Sequence, residues 1–171
     1  DFGTEAVLLA KASGVPVKLI WSREEDIQYG AFRPAILQRL TAGVDANGDI
    51  LSWSHRAVGD DFHLVGSGAA IPFYDIPNQQ IDFCLQNTAI RTKHWRSVAH
   101  GPNKFAIESF IDEIASGQSV DPYRLRRKLL VKSPRALAVL DAAVDMSPWG
   151  SNPETGRALG LAFAEGVGSL T

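Results

Sequence analysis

The chain has 171 residues, of which 45 % are hydrophobic and 21 % charged, and its formal net charge at pH 7 is −2. This composition is typical of a globular domain long enough to bury about 70 % of the surface that its unfolded chain exposes. It argues against nucleic-acid binding by bulk charge, no apolar run approaches the roughly 18 residues of a membrane span, and the single cysteine excludes an internal disulfide.

The N-terminal segment is predicted to contain a helix followed by a strand. Residues 4–12 are rich in strong helix formers, which predicts a helix. Residues 15–21 are short, β-branched and aromatic, which predicts a strand. The polar residues 22–26 are expected to form a turn or a short helix, and Arg33 should be extended because Pro34 disfavours helix before it.

A β-hairpin is predicted next. Residues 35–45 and 49–57 have strand-like composition and are joined across Asn47-Gly48, a dipeptide typical of tight hairpin turns. Residues 80–86 predict a further strand. Because Cys84 lies in the apolar part of this strand, it is expected to be a buried, inert thiol.

The second half is predicted to be mainly helical, with helices over residues 102–115, 123–131 and 135–145 and a closing strand over residues 160–168. Asp121-Pro122 and Ser133-Pro134 each place a capping residue before a proline suited to the first helical position. A basic run interleaved with leucines is expected to be a solvated helix face: Arg124, Arg126, Arg127, Lys128 and Lys132. These elements predict an α+β fold, a single domain over residues 1–171 with helices packed on one side of a mostly antiparallel sheet.

The segment 94–103 is the best candidate for a ligand-contacting edge. It places an aromatic residue, a cation, two histidines and a Gly-Pro turn before a helix, whose N-terminal N–H groups and partial positive charge can hold an anion. The alternative is structural, with Trp95 in the core and Arg96 on the surface. Gly66-Ser67-Gly68 indicates a mobile loop or, on weaker grounds, a phosphate cradle.

The titratable residues offer no standard catalytic motif. Glu108 and Asp112 are four residues apart on the predicted helix, so they are either solvated or paired with Arg96 or Arg33. An acid–base pair of a small hydrolase is a further alternative, which requires both carboxylates to face an open pocket. Ser97 lacks the motif of a serine nucleophile, and the scattered histidines match no metal-ligand spacing: His55, His63, His94 and His100.

Motifs spread in collinear order over nearly the whole chain carry a resemblance to a known family. The motifs are Glu5-Ala6 to Gly14, residues 16–26, Phe32-Arg33-Pro34, Trp95-Arg96-Ser97-Val98, Asn103, Phe105, Glu108, residues 110–113, Asp121-Pro122, Arg124 and Leu129-Leu130. Together they resemble the molybdenum hydroxylases of the xanthine dehydrogenase and aldehyde oxidase family. The similarity is greatest to the molybdopterin-binding large subunit of the isoquinoline 1-oxidoreductase type.

The resemblance implies an oxidoreductase that hydroxylates an aldehyde or N-heteroaromatic carbon with oxygen from water. It implies that Arg33, Trp95 and Val98 contact substrate and that Arg96 and Ser97 lie beside the cofactor. Trp95 and Val98 stand where the family commonly has phenylalanines, which implies a different pocket shape. The implied cofactor is molybdopterin with molybdenum, in its cytosine dinucleotide form. The implied partners are a small iron–sulfur subunit and a small aldehyde or N-heterocyclic substrate.

The resemblance also implies that the chain is an internal piece of a longer bacterial subunit. The family's Gly-Gly-Phe-Gly loop would precede Asp1, and the Gly-x-Gly-Glu segment with the glutamate base would follow Thr171. The piece alone is therefore predicted to retain no molybdenum cofactor and to be inactive. A non-catalytic binding or interaction module is the alternative, and the compartment, periplasmic or cytoplasmic, is left open.

Overall fold

The computed structural model describes residues 2–151, 154–166 and 168–171. The chain divides into two compact units, one ending at Phe32 and the other running from Arg33 to Thr171. The expectation of one partial domain over residues 1–171 stays a prediction.

The first unit contains two helices, α1 (Phe2–Ser13) and α2 (Arg23–Tyr29). A capping box starts α2, because the Ser22 side chain accepts from the Glu25 N–H while the Glu25 carboxylate accepts from the Ser22 N–H. The predicted helix over residues 4–12 is therefore confirmed, and the polar segment after residue 21 is helical.

The strand predicted over residues 15–21 is wrong, since this segment lies outside the helices and strands. Within the described residues no strand pairs with its backbone. Its aromatic residue instead packs against α1: the Trp21 indole N–H donates to Glu5 at 2.8 Å, and its ring meets Phe2 edge to face. Residues 15–21 have the composition of a strand, but the described residues of this unit include no partner strand to complete their backbone hydrogen bonds.

In the second unit, β1 (Leu37–Val44) and β2 (Ile50–Gly59) form the predicted antiparallel hairpin. The strand β3 (Asn78–Leu85) runs parallel to β2, so the sheet is not purely antiparallel. Between them lies a short helix that the sequence analysis missed, α3 (Phe62–Gly66), which Asp61 caps by accepting from the N–H groups of His63 and Leu64. The α+β class is confirmed.

One face of the sheet is buried and the other is polar. Along β2, Trp53, His55 and Ala57 are fully or almost fully buried, as expected for the period of two in a strand with one covered face. In the β2–β3 register Val58 is opposite Cys84, which shares the uncovered face with Asp82. The prediction that Cys84 is buried is therefore wrong, because its thiol is exposed.

The predicted helices of the second half are confirmed as α4 (His100–Gly117), α5 (Pro122–Leu129) and α6 (Pro134–Asp145). Residues 160–164, predicted as strand, have no regular structure; β4 (Glu165–Gly166) pairs with β5 (Ser169–Leu170), and Val167 of the predicted strand lies outside the described residues. The helices and the sheet share one core: Ile50, Trp53, Ile71, Phe73, Tyr74, Ile76, Ile107, Ile111, Ala115, Leu125, Leu129, Leu130, Ala136, Leu140 and Phe163.

Candidate functional site

The segment 94–99 enters the N-terminus of α4 through an unusual backbone conformation. Ser97 and Val98 both have positive φ angles, 69° and 48°. For residues with a β-carbon this left-handed conformation costs about 1–2 kcal/mol each, and for β-branched Val98 it is an outlier. Such a conformation persists only where the surrounding structure fixes it, and it concentrates at functional sites.

Arg33 supplies the contacts that fix this backbone. Its Nη1 donates to the carbonyl of Val98 and its Nη2 donates to the carbonyl of Arg96 at 2.7 Å. The absence of a side chain on Gly101 also matters, because a Cβ there would lie 2.9 Å from the Ser97 hydroxyl. Two residues quoted from distant motifs, Arg33 and Arg96, thus meet in the folded chain.

The same geometry leaves backbone N–H groups free at the start of α4. The N–H groups of Ser97 and Ala99 have no acceptor within the part of the chain that the structure describes. In a trans peptide the N–H points opposite to the carbonyl of the preceding residue, and those carbonyls, of Arg96 and Val98, are held by Arg33. The Ser97 and Ala99 donors therefore face away from the guanidinium, beside a helix N-terminus without a side-chain cap. Ser97 is exposed, whereas Ala99 is fully buried, so the accessible donor is the Ser97 N–H.

The side chains on this loop are accessible. Trp95 is 65 % exposed, so the alternative that placed it in the core is wrong. Arg96 and Ser97 are also exposed, while Val98 is half-buried. An exposed indole next to free amides gives the edge both a stacking surface and anion-binding donors.

A second loop, Gly66-Ser67-Gly68, lies beside the start of α4. The sequence did not predict the residue that holds this loop. The fully buried Asn103 donates from Nδ2 to the carbonyls of Val65 and Ser67, at 2.8 and 2.9 Å. Gly68 has a φ of +78°, and a Cβ at that position would lie 2.6 Å from Nδ1 of His100. Asn103 belonged to the quoted motifs, but its role in holding this loop is visible only from the burial of its amide in the structure. The Gly-Ser-Gly segment is thus tied to α4 by the hydrogen bond from Asn103 to the carbonyl of Ser67, and its mobility stays a prediction.

A buried arginine pairs with both carboxylates of the acidic pair on α4. Arg126 has no exposed surface; its Nε donates to Glu108 at 2.9 Å and its Nη1 donates to Asp112 at 2.6 Å. The expectation that Arg126 is part of a solvated face is wrong, and the partner of the two acids is neither Arg33 nor Arg96. Because both carboxylates are paired, the hydrolase alternative is removed.

Two neighbours complete this buried network. The Tyr74 hydroxyl donates to Glu108 at 2.9 Å, and the backbone N–H of Phe163 donates to the same carboxylate at 2.8 Å. Burial, reinforced by the Glu108 charge, raises the pKa of Tyr74 well above its usual value. Burial lowers the pKa of Arg126, but the charge of Glu108, the neighbouring Tyr74 and the hydrogen bonds to Asp112 and Glu108 together outweigh this, and the net shift is upward. The network is therefore a charged structural element under the site helix.

Metal ligation by these side chains is not supported. The described residues contain no group of three or more His, Cys, Asp or Glu side chains placed to hold a metal ion.

Burial lowers the pKa of Lys104, whose ammonium lies over the Phe73 ring and near the carbonyl of Ala70. The chemistry that the site offers is therefore anion binding by amides and contact by exposed side chains.

Comparison with known proteins places this geometry in a family. Residues 2–130 match the family model described as a molybdopterin cofactor-binding domain. The chain belongs to this family. The isoquinoline 1-oxidoreductase subunit beta of Brevundimonas diminuta is 31 % identical over 181 aligned positions, which cover 93 % of this chain and 23 % of that protein.

Solved structures show the same fold. Quinoline 2-oxidoreductase from Pseudomonas putida 86 matches with a TM-score of 0.68 at 20 % identity, over 81 % of this chain and 21 % of that one. Aldehyde oxidoreductase from Desulfovibrio gigas matches with a TM-score of 0.62 at 21 % identity, over 83 % of this chain and 19 % of that one. The chain thus spans less than a quarter of the length of these three proteins. Among the helices described, none has the length and apolarity needed to cross a membrane.

Proposed function

We propose that this chain is the cofactor-side part of a molybdenum hydroxylase subunit whose substrate is an N-heteroaromatic compound or an aldehyde. The overall reaction converts a substrate C–H group and water into C–OH, two protons and two electrons. The bound molybdenum cofactor would supply the two-electron redox centre. The electrons would leave through iron–sulfur clusters on a partner subunit.

The observation that carries this proposal is the amide edge in a member of the molybdopterin-binding family. Molybdopterin carries a phosphate, and free N–H groups at a helix N-terminus bind such oxygens. The Ser97 amide and the Arg96 side chain would hold the cofactor, which fits their exposure beside the uncapped end of α4. The cytosine dinucleotide form adds a second phosphate, which exposed Arg96 suits as a donor of several hydrogen bonds.

Trp95 and Val98 would form the substrate side of the same loop. The exposed Trp95 indole can stack on a flat heteroaromatic ring. The names of the isoquinoline- and quinoline-oxidising proteins support the heteroaromatic class, and the name of the aldehyde oxidoreductase supports the aldehyde class. A small iron–sulfur subunit as partner is part of the proposal.

The test uses the full-length subunit produced with its partner subunit. We expect stoichiometric molybdenum by elemental analysis, cytosine nucleotide after acid hydrolysis, and product that takes up ¹⁸O from labelled water with isoquinoline, quinoline or an aldehyde. A full-length protein that binds no molybdenum and lacks the glutamate base would support the non-catalytic module instead.

Two substitutions separate the cofactor side from the substrate side. Arg96→Gln is expected to lower molybdenum content at least several-fold, whereas Arg91→Gln, an exposed arginine earlier in the same segment, serves as the matched control. Trp95→Ala is expected to retain molybdenum and to raise KM for heteroaromatic substrates about 5- to 150-fold, since base–aromatic stacking of comparable size contributes roughly 1–3 kcal/mol. Unchanged KM in Trp95→Ala would place the substrate elsewhere.

A further inference from the structure

The guanidinium of Arg33 is occupied by the backbone of the site loop. Its two terminal nitrogens each donate to one carbonyl, of Val98 and Arg96, which lie 65 and 63 residues further along the chain. These carbonyls flank the two residues with positive φ, Ser97 and Val98. The planar fork of an arginine suits two acceptors held at a fixed spacing better than a lysine does.

The hydrogen bonds support a causal role for this contact. Two consecutive left-handed residues are strained, because each β-carbon crowds the following carbonyl oxygen. Hydrogen bonds from a charged donor are stronger than those between neutral groups, so the two from Arg33 oppose that strain. Without them, the backbone of Ser97 and Val98 would relax and its N–H groups would turn.

We propose that Arg33 is a positioning residue, which fixes the loop so that the exposed N–H group of Ser97 faces the cofactor. This role takes the place of the substrate contact that the family resemblance implies for Arg33. The fixed loop conformation stands on the hydrogen bonds alone, while the direction of the Ser97 amide toward a cofactor rests on the proposed function.

The primary test is hydrogen exchange of the full-length subunit with its partner, measured by mass spectrometry. Within the loop, the Val98 N–H donates to Trp95 and the His100 N–H donates to Ser97. We expect these amides to exchange about 10-fold faster in Arg33→Ala and to be partly restored in Arg33→Lys. Exchange in the β1–β2 hairpin should stay unchanged, which reports that the fold is intact.

Arg39→Ala is the matched control, because Arg39 is an exposed arginine on β1, and among the described residues the two hydrogen bonds to the loop carbonyls come from Arg33. If Arg33→Ala prevents folding, Arg33→Gln keeps one amide donor for one carbonyl and is expected to show an intermediate exchange rate. Unchanged loop exchange in Arg33→Ala or Arg33→Gln overturns the proposal.

Kinetics of the loaded enzyme distinguish positioning from substrate contact. A positioning role predicts lower molybdenum content, or lower kcat, for all substrates to a similar degree. A direct substrate contact predicts an increase in KM that depends on the substrate's polar groups, with unchanged loop exchange, and would overturn the proposal. If the unmutated full-length subunit binds no molybdenum but Arg33→Ala still shows faster loop exchange, the positioning role is retained and the proposed function is refuted.

Discussion

Replacing Arg126 by methionine tests the buried network under α4. Methionine is an apolar side chain of similar length, so the substitution removes only the cation that pairs with Glu108. The Glu108 side chain is only 4 % exposed. The Tyr74 hydroxyl and the Phe163 N–H would be its remaining donors. Leaving one charge of a buried pair without its partner costs about 3–5 kcal/mol.

The expected loss is measurable as unfolding. For a chain of this length, a change of 1 kcal/mol shifts Tm by about 2–4 °C, so Arg126→Met should lower Tm by roughly 6–20 °C. Urea unfolding followed by tryptophan fluorescence gives the free energy directly. Arg127→Met is the matched control: its side chain is 49 % exposed, it pairs with Asp141 at the surface, and its loss should cost about 0–1 kcal/mol.

The double variant decides whether a buried charge is the cause. Adding Glu108→Gln to Arg126→Met removes the unpaired carboxylate. The double variant should therefore lose about 1–3 kcal/mol less stability than the two single variants lose in total. Additive losses, or an Arg126→Met loss no larger than that of Arg127→Met, would refute the reasoning.

Three further predictions follow from the same structure. Gly68→Ala should destabilise the chain by more than Gly14→Ala, because both glycines have positive φ but only the new Cβ at Gly68 would meet His100, at 2.6 Å; equal losses in urea unfolding would contradict that crowding. Burial lowers the pKa of His55 below the usual 6.5, so the unfolded chain binds a proton that the folded chain does not, and stability should fall as pH drops below about 6.5. His55→Gln should remove this part of the pH dependence of stability. If the pH dependence persists in His55→Gln and disappears when the exposed His63 is replaced in His63→Gln, the attribution to His55 is wrong. The 171-residue chain purified alone should contain far less than one molybdenum per chain, and a stoichiometric content by elemental analysis would overturn this.

Elements with local signals were predictable from the sequence. The hairpin followed from Asn47-Gly48, and α5 and α6 followed from a proline in the first helical turn at Asp121-Pro122 and Ser133-Pro134. Asp121 caps α5 as predicted, but Ser133 makes no capping hydrogen bond and its hydroxyl donates to the carbonyl of Phe73. The site loop was also placed correctly before α4, because Gly101-Pro102 marks a helix start. These signals act within a few residues, so they survive without knowledge of the tertiary fold.

What could not be predicted depends on contacts between distant residues. Nothing in the basic run distinguishes Arg126 from its neighbours, and only the position of Glu108 and Asp112 on α4 selects it for burial. In the same way, the contact of Arg33 with the loop spans more than 60 residues. The prediction that Cys84 is buried was wrong for a related reason, since composition does not say which face of a strand is covered.

The contacts of Phe163 bear on how the chain folds during synthesis. The family match ends at residue 130, yet Phe163 places its ring against Phe73, at a centroid distance of 4.8 Å, and donates its N–H to Glu108. The core of the second unit is therefore complete only once residue 163 has left the ribosome. A chain released at residue 130 would expose this aromatic cluster and is expected to aggregate. The stretch that completes the core extends further along the chain than the stretch that identifies the family.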